Sequence, residues 1–327
     1  MALVDHLSPL DVERSLPSLP AVALDVLAVC SDPDGEVGDL AEALSRDPVL
    51  TAQVLEMANS AFYSRGTPVT TLYRAAMVLG MQALKIVALG FTLANEMPRR
   101  GAPAGLELRA YWHRSLLNAV ISRALAWTLE ERLAEEAFLC GLFSELGKLV
   151  LAYAAPGTYR PVVAEAGGWP SDRLERLRLG FAAGEAGELL LRAWSVPELL
   201  VLGSSFSDRR ERLPADAPYA SRRLADVVAL ARIGTTNVFG GTGARPGAFA
   251  VEAQSRFGLT GDDVAKIVDE LDDECLVAAD MLSIELPEGI TPEALLEQVQ
   301  DRVARLKIDA LVHLDPSSPL HGPADWS

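Results

Sequence analysis

The sequence predicts an all-α protein, a multi-helix bundle, and three observations carry that prediction. Apolar side chains recur at helical spacing, as in Leu50, Val54, Leu55 and Ala58. Proline and glycine punctuate these patterns, and strand-like alternation is scarce. Half of the 327 residues are hydrophobic, enough for a sizeable core in one large domain or two modest ones.

Leu19-Pro20 opens a helix near residues 20–30, and SDPDGEVG then turns the chain. Gly38 to Ser45 reads as a short amphipathic helix. Asp47-Pro48 starts the next one, with Asp47 as N-cap and Pro48 at the first helical position, and it ends at Asn59-Ser60. The turn SRGTPVTT leads to LYRAAMVLG and then to MQALKIVALGFTLAN. Further helices are expected at about 107–128, 132–153, 159–167, 171–192 and 197–206. Ser207 to Pro218 is charged, twice broken by proline and without periodicity, the best boundary in the chain. Beyond it come a helix at about 219–233, the glycine-rich loop GGTGARPG at 240–247, and a long amphipathic helix from Thr260. Thr260 and Asp263 have capping-box spacing, with Asp in place of the usual Glu or Gln. Thr291-Pro292 begins a last helix, and PSSPLHGPADWS reads as a loose tail.

The bulk numbers exclude several classes of function. A formal net charge of −16, from 45 acidic and 29 basic residues, repels phosphate backbones, so no nucleic-acid partner is expected. No unbroken apolar run approaches the 18 or so residues that cross a bilayer, so no membrane association is expected. The N-terminus has neither the basic start nor the apolar stretch of a secretory signal. Cys30, Cys140 and Cys275 offer no CxxC spacing, which points to a reducing cytoplasm. Histidine is scarce: of His6, His113, His313 and His321, His113 alone lies in the body of the chain. Zinc, iron and manganese sites usually gather several imidazoles, so no metal and no cofactor are expected.

Few motifs carry chemistry. Ala75 to Ile86 has the spacing of a helix-turn-helix, with Gly80 suited to a left-handed cap, but its second helix offers only Gln82 and Lys85 before turning apolar. Two packed core helices account for it better. GGTGARPG matches no phosphate-binding pattern, no GxSxG occurs, and VDELDDE (268–274) reads as a solvated helix face. What stands out is polar residues inside apolar helices: His113, the Ser144-Glu145 pair within EEAFLCGLFSELGKLVLAY, and Arg232. Each has a plain explanation. His113 can bond a backbone carbonyl, Glu145 can pair with Lys148 one turn on, and Arg232 can reach water.

The order of motifs resembles the HDOD (HD-related output) domain of bacterial signalling proteins. Asp47-Pro48, Leu55 and Ala58-Asn59-Ser60 match its DP…L…ANS signature, and Ala75 to Leu79-Gly80 its Ala-x3-Leu-Gly turn. Trp112-His113, Gly141-Leu142…Gly147-Lys148-Leu149 and Trp194…Pro197 follow in the family's order. The resemblance implies an HD-hydrolase-like helical domain with an N-terminal helical subdomain. The parts would be an N-terminal segment 1–14, the HDOD domain 15–210, a helical extension 211–312 packing on it, and a flexible tail 313–327.

HD hydrolases hold metal through His, His-Asp and Asp. On motif order those places fall on His113, Ser144-Glu145 and the neighbourhood of Arg232. The resemblance therefore implies a degenerate ligand set and no catalytic residue, with Arg232 as counter-charge to Glu145 and His113 nearby. Asp47, Pro48, Asn59, Ser60, Gly80, Trp194 and Pro197 are the candidate interaction or motif residues, each also readable as capping, turn or core. The function implied is a non-catalytic adaptor in bacterial signal transduction whose partners are two-component or cyclic-di-GMP proteins. The rivals are a metal-dependent phosphohydrolase or nucleotide-binding relic, and a helix-turn-helix regulator.

Overall fold

The computed structural model describes residues 35–59, 68–80, 103–194, 196–238 and 246–264, with isolated positions at 22–32, at 84 and at 266–278. Among the described residues all regular structure is helical, as the apolar spacing predicts.

The N-terminal helices are α1 (Val37–Ser45), which starts one residue before the expected Gly38, and α2 (Pro48–Asn59), which begins where Asp47-Pro48 places it. Asp47 Oδ1 accepts from the Leu50 amide at 3.1 Å, filling one of the open donors of the first turn, while Pro48 occupies a position where its missing N–H costs nothing. Asp47→Ala is expected to lower stability by about 1 kcal/mol, read as a shift in urea midpoint at unchanged slope.

Asn59 ties the end of α2 to the following chain. Its amide nitrogen donates to Leu55 O and Val69 O, and its oxygen accepts from the Val69 amide at 2.8 Å. Helix α3 (72–80) ends at Gly80, whose φ of +78° is the left-handed conformation that glycine adopts without strain. Ala75, Ala76 and Leu79 pack with Leu40, Leu44, Val54 and Ala58 in one apolar cluster. Ser60 and, apart from the buried Leu84, the second helix-turn-helix segment with Gln82 and Lys85 lie outside the described residues.

The body is built around α4 (Leu108–Glu130), which buries side chains on nearly all its faces and packs on α5 (Ala134–Phe143) and α11 (Tyr219–Val238). The single helix expected at 132–153 is two. It breaks at Ser144-Glu145, and α6 (Leu146–Ala154) follows. Ser144 makes the break: its Oγ donates to Gly141 O at 2.7 Å and its amide bonds the same carbonyl, a tightened turn that ends the i−4 ladder. Apolar residues continue on both sides, so periodicity does not reveal it.

The expected helix at 171–192 also divides, into α8 (Asp172–Leu179) and α9 (Ala183–Ala193), after α7 (Pro156–Glu165). Ser171 Oγ caps α8 by accepting from the Leu174 amide, and Gly180, at φ +85°, terminates it. Trp194 is buried in the core and Pro197 is the N-cap of α10 (Glu198–Ser205).

Residues 207–210 pack into the body, whereas most of 211–218 is exposed. Ser207, Arg209 and Ala217 are buried, and Arg210 pairs with Asp226 of α11 at 2.9 Å. The sequence pattern does not reveal α12 (Pro246–Phe257), which starts within the glycine-rich stretch. The Thr260–Asp263 capping box forms as spaced: Asp263 Oδ2 accepts from the Thr260 amide and Thr260 Oγ1 from the Asp263 amide. Gly240–Arg245, the helix at Thr291-Pro292 and the tail lie outside the described residues.

Leu108–Ala154 contains a window apolar enough by composition to cross a bilayer, and most of that window is buried inside the bundle, as core helices are.

Two glycines of the GLxxxxGKL element are there for packing. A Cβ on Gly141 would lie 2.4 Å from Asn118 O on α4, and one on Gly147 would lie 1.7 Å from Ala183 O on α9. The bare backbones let α5 approach α4 and α6 approach α9 on either side of the Ser144-Glu145 break.

Candidate functional site

The break after α5 turns Glu145 out of the helical register and into a cleft of about 400 Å³. Around it stand Arg114 from α4, Trp169 and Ser171 before α8, Asp172 at its first turn, Asp208, and Arg232 from α11. Ser144 does not join the lining. Its hydroxyl is engaged with Gly141 O and accepts from Asn118 Nδ2 at 3.2 Å.

Arg232 lies where its motif position predicts the counter-charge of Glu145. Its Nε donates to Glu145 Oε1 at 3.1 Å, its Nη1 to Ser207 Oγ at 3.3 Å, and its Nη2 sits 2.9 Å from both Asp172 oxygens. Burial would lower the guanidinium's pKa, but Asp172 and Glu145 outweigh it and hold the value well above normal. The cation is permanently present.

Lys148 is not the simple neighbour of Glu145 that a one-turn spacing suggests. Its side chain is 1% exposed, and Nζ donates to Glu175 Oε1 at 2.8 Å and Pro170 O at 2.9 Å, with Glu145 Oε2 at 3.6 Å. Glu175, fully buried, also accepts from Tyr159 Oη and from the Ala183 amide, which starts α9. Burial pulls the Lys148 amine down, yet Glu175, Glu145 and Asp172 together raise it. Five side chains thus alternate in sign: Glu175, Lys148, Glu145, Arg232, Asp172.

Burial would raise the Asp172 carboxyl, but Arg232 and then Lys148 bring it to about 2. Because the folded value lies below the ordinary 3.8, protonation favours unfolding. The stability is complete above about pH 4 and is lost as pH falls towards 2. The shift corresponds to about 2 kcal/mol. Urea midpoints at pH 5 and pH 2.5 are therefore expected to differ less in Asp172→Asn than in the wild type; equal differences would show that Asp172 is not the group being titrated. Asp208 behaves oppositely, pushed up by burial and by the charge of Asp172 despite its 2.6 Å pair with Arg176.

His113 is half-buried on α4 and makes an interaction of its own, but it is Arg114, one residue on, that lines the cleft. Sequence reasoning does not find Arg114, Asp172 or Glu175. Asp172 reads as a helix-start residue, and the Glu175–Lys148 pair spans 27 positions. The other candidates have local duties: Asp47 caps, Asn59 clamps, Gly80 terminates, Trp194 fills core and Pro197 starts α10.

The residues present do not suit a divalent ion. An arginine fork already sits between Glu145 and Asp172, and a guanidinium cannot ligate or shed its charge. The serine, whose neutral hydroxyl is a poor ligand, is bonded away from the cleft.

The HDOD domain family model matches residues 16–208. Among solved structures, a candidate phosphohydrolase of Shewanella amazonensis SB2B is 26% identical at TM-score 0.65, covering 84% of this chain and 97% of that one. An HDOD domain protein of unknown function from Geobacter sulfurreducens is 21% identical at TM-score 0.62, covering 86% and 100%. A candidate signal transduction protein of Marinobacter aquaeolei VT8 is 24% identical at TM-score 0.60, covering 82% and 60%. An uncharacterized protein of Treponema pallidum (strain Nichols) is 24% identical over 226 residues, 67% of this chain, which spans only 42% of that relative's length.

Proposed function

Since the chain belongs to the HDOD domain family, we propose that it is a non-catalytic signal-transduction module that works in the bacterial cytoplasm by binding other proteins. The observation that supports this reading is Arg232 held between Glu145 and Asp172. Metal-assisted hydrolysis needs a dication to lower the pKa of a bound water. Here the carboxylates that would attract one are matched by a side-chain cation that cannot leave. The alternating charges hold α6, α8 and α11 to one another, and a fixed frame of this kind suits recognition, with two-component or cyclic-di-GMP proteins as the partner class.

The test uses the whole chain as bait in a bacterial lysate, with phosphodiester turnover measured on the same preparation with manganese, iron and magnesium. Recovery of proteins bearing receiver, kinase or cyclic-di-GMP domains, without turnover, is expected. Turnover that requires metal, or a bait that recovers no such protein, would overturn the proposal.

A further inference from the structure

The cleft contains an arginine that the charge network does not use. Of the four guanidinium groups in its lining, Arg232 holds Glu145 and Asp172, Arg210 holds Asp226, and Arg256 holds Glu252. Arg114 meets no carboxylate at ion-pair distance among the described residues. Its Nη2 donates to Thr236 Oγ1 at 3.2 Å, its Cζ lies 4.7 Å from the centre of the Trp169 ring, and its Nε is buried without an acceptor. Burial lowers its pKa, and the like charge of Arg232 adds to that, against the pull of Glu145.

A buried donor without an acceptor is costly to keep, and a guanidinium is built to grip planar or tetrahedral oxyanions with several parallel bonds. The geometry around it is suitable. The guanidinium lies over the Trp169 ring, and Thr236 holds one end of the fork. The amino end of α8, at Ser171 and Asp172, borders the same cleft and contributes partial positive charge. A cleft of about 400 Å³ falls in the size range of small-molecule sites.

We propose that this cleft binds a small oxyanion, a phosphate or carboxylate group, on Arg114, without chemical change to it. The inference goes beyond the adaptor reading and does not require it. Bound there, the anion touches α4, α8 and α11 together, so occupancy would bias how those helices sit.

Calorimetric titration of the whole chain with phosphate, sulfate and malonate, against chloride at equal ionic strength, tests it. Saturable binding of one anion per chain is expected, weakened at least about tenfold in Arg114→Gln and unchanged in Arg178→Gln, whose side chain pairs with Glu165 away from the cleft. Response to phosphate and sulfate assigns a tetrahedral group, and response to malonate a carboxylate. In the wild type alone, phenylglyoxal modification of Arg114, mapped by peptide mass spectrometry, is expected to slow as the anion saturates. No saturable heat from any anion, equal affinity in a folded Arg114→Gln, or an unchanged modification rate would overturn the proposal.

Discussion

Lys148→Met is expected to destabilise the protein by about 3–5 kcal/mol, because it leaves Glu175 charged, buried and without its cation. Methionine matches the lysine stem in length and apolar character, so the loss reports the charge and not a cavity. Pro170 O loses its donor at the same time. The Glu175→Gln change in the Lys148→Met background removes the stranded charge while keeping a group able to bond Tyr159 Oη and the Ala183 amide. The double variant is expected to be more stable than Lys148→Met alone, a coupling that only partners in one network show. Urea unfolding of the four proteins measures it. Additive losses would mean that Lys148 and Glu175 merely lie close together.

Gly147→Ala is expected to cost about 3 kcal/mol or more, or to prevent folding, because the added methyl meets the Ala183 carbonyl and a backbone cannot step aside as a side-chain tip can. Gly157→Ala is the matched control. It lies on α7 with nothing within 4 Å of the new atom, so the better helix former is expected to leave stability unchanged or raise it by up to about 1 kcal/mol. Thermal unfolding of the pair separates close approach from a general intolerance of alanine. A Gly147→Ala protein as stable as the wild type would show that α6 and α9 are not locked together at this point.

These effects indicate what the sequence could and could not disclose. Helical class, the caps at Asp47 and Thr260 and the left-handed Gly80 are local properties, set by residues within a turn of one another, and all are legible. Arg232 and Glu145 are legible for another reason: each is a charge in an apolar helix, so each needs a partner wherever the fold provides one. The breaks at Ser144-Glu145 and Gly180 are not legible. Apolar residues run straight through Ser144-Glu145, and the residues flanking Gly180 keep a helical pattern on both sides. Arg114 is hidden by its neighbour His113, which the family motif emphasises, whereas helix geometry gives the cleft to the arginine. Glu175 reads as one more charge on a polar helix, and its burial depends on Lys148 arriving from 27 residues away.

If Arg232 already serves as the cation of this centre, a divalent ion has no place to bind there. Manganese titrated into the wild-type chain and followed by electron paramagnetic resonance tests this most directly. No saturable site below millimolar concentration is expected, in wild type as purified and after chelation. One manganese bound per chain at micromolar concentration, at a site lost when Glu145 and Asp172 are changed to Gln and Asn, would contradict it.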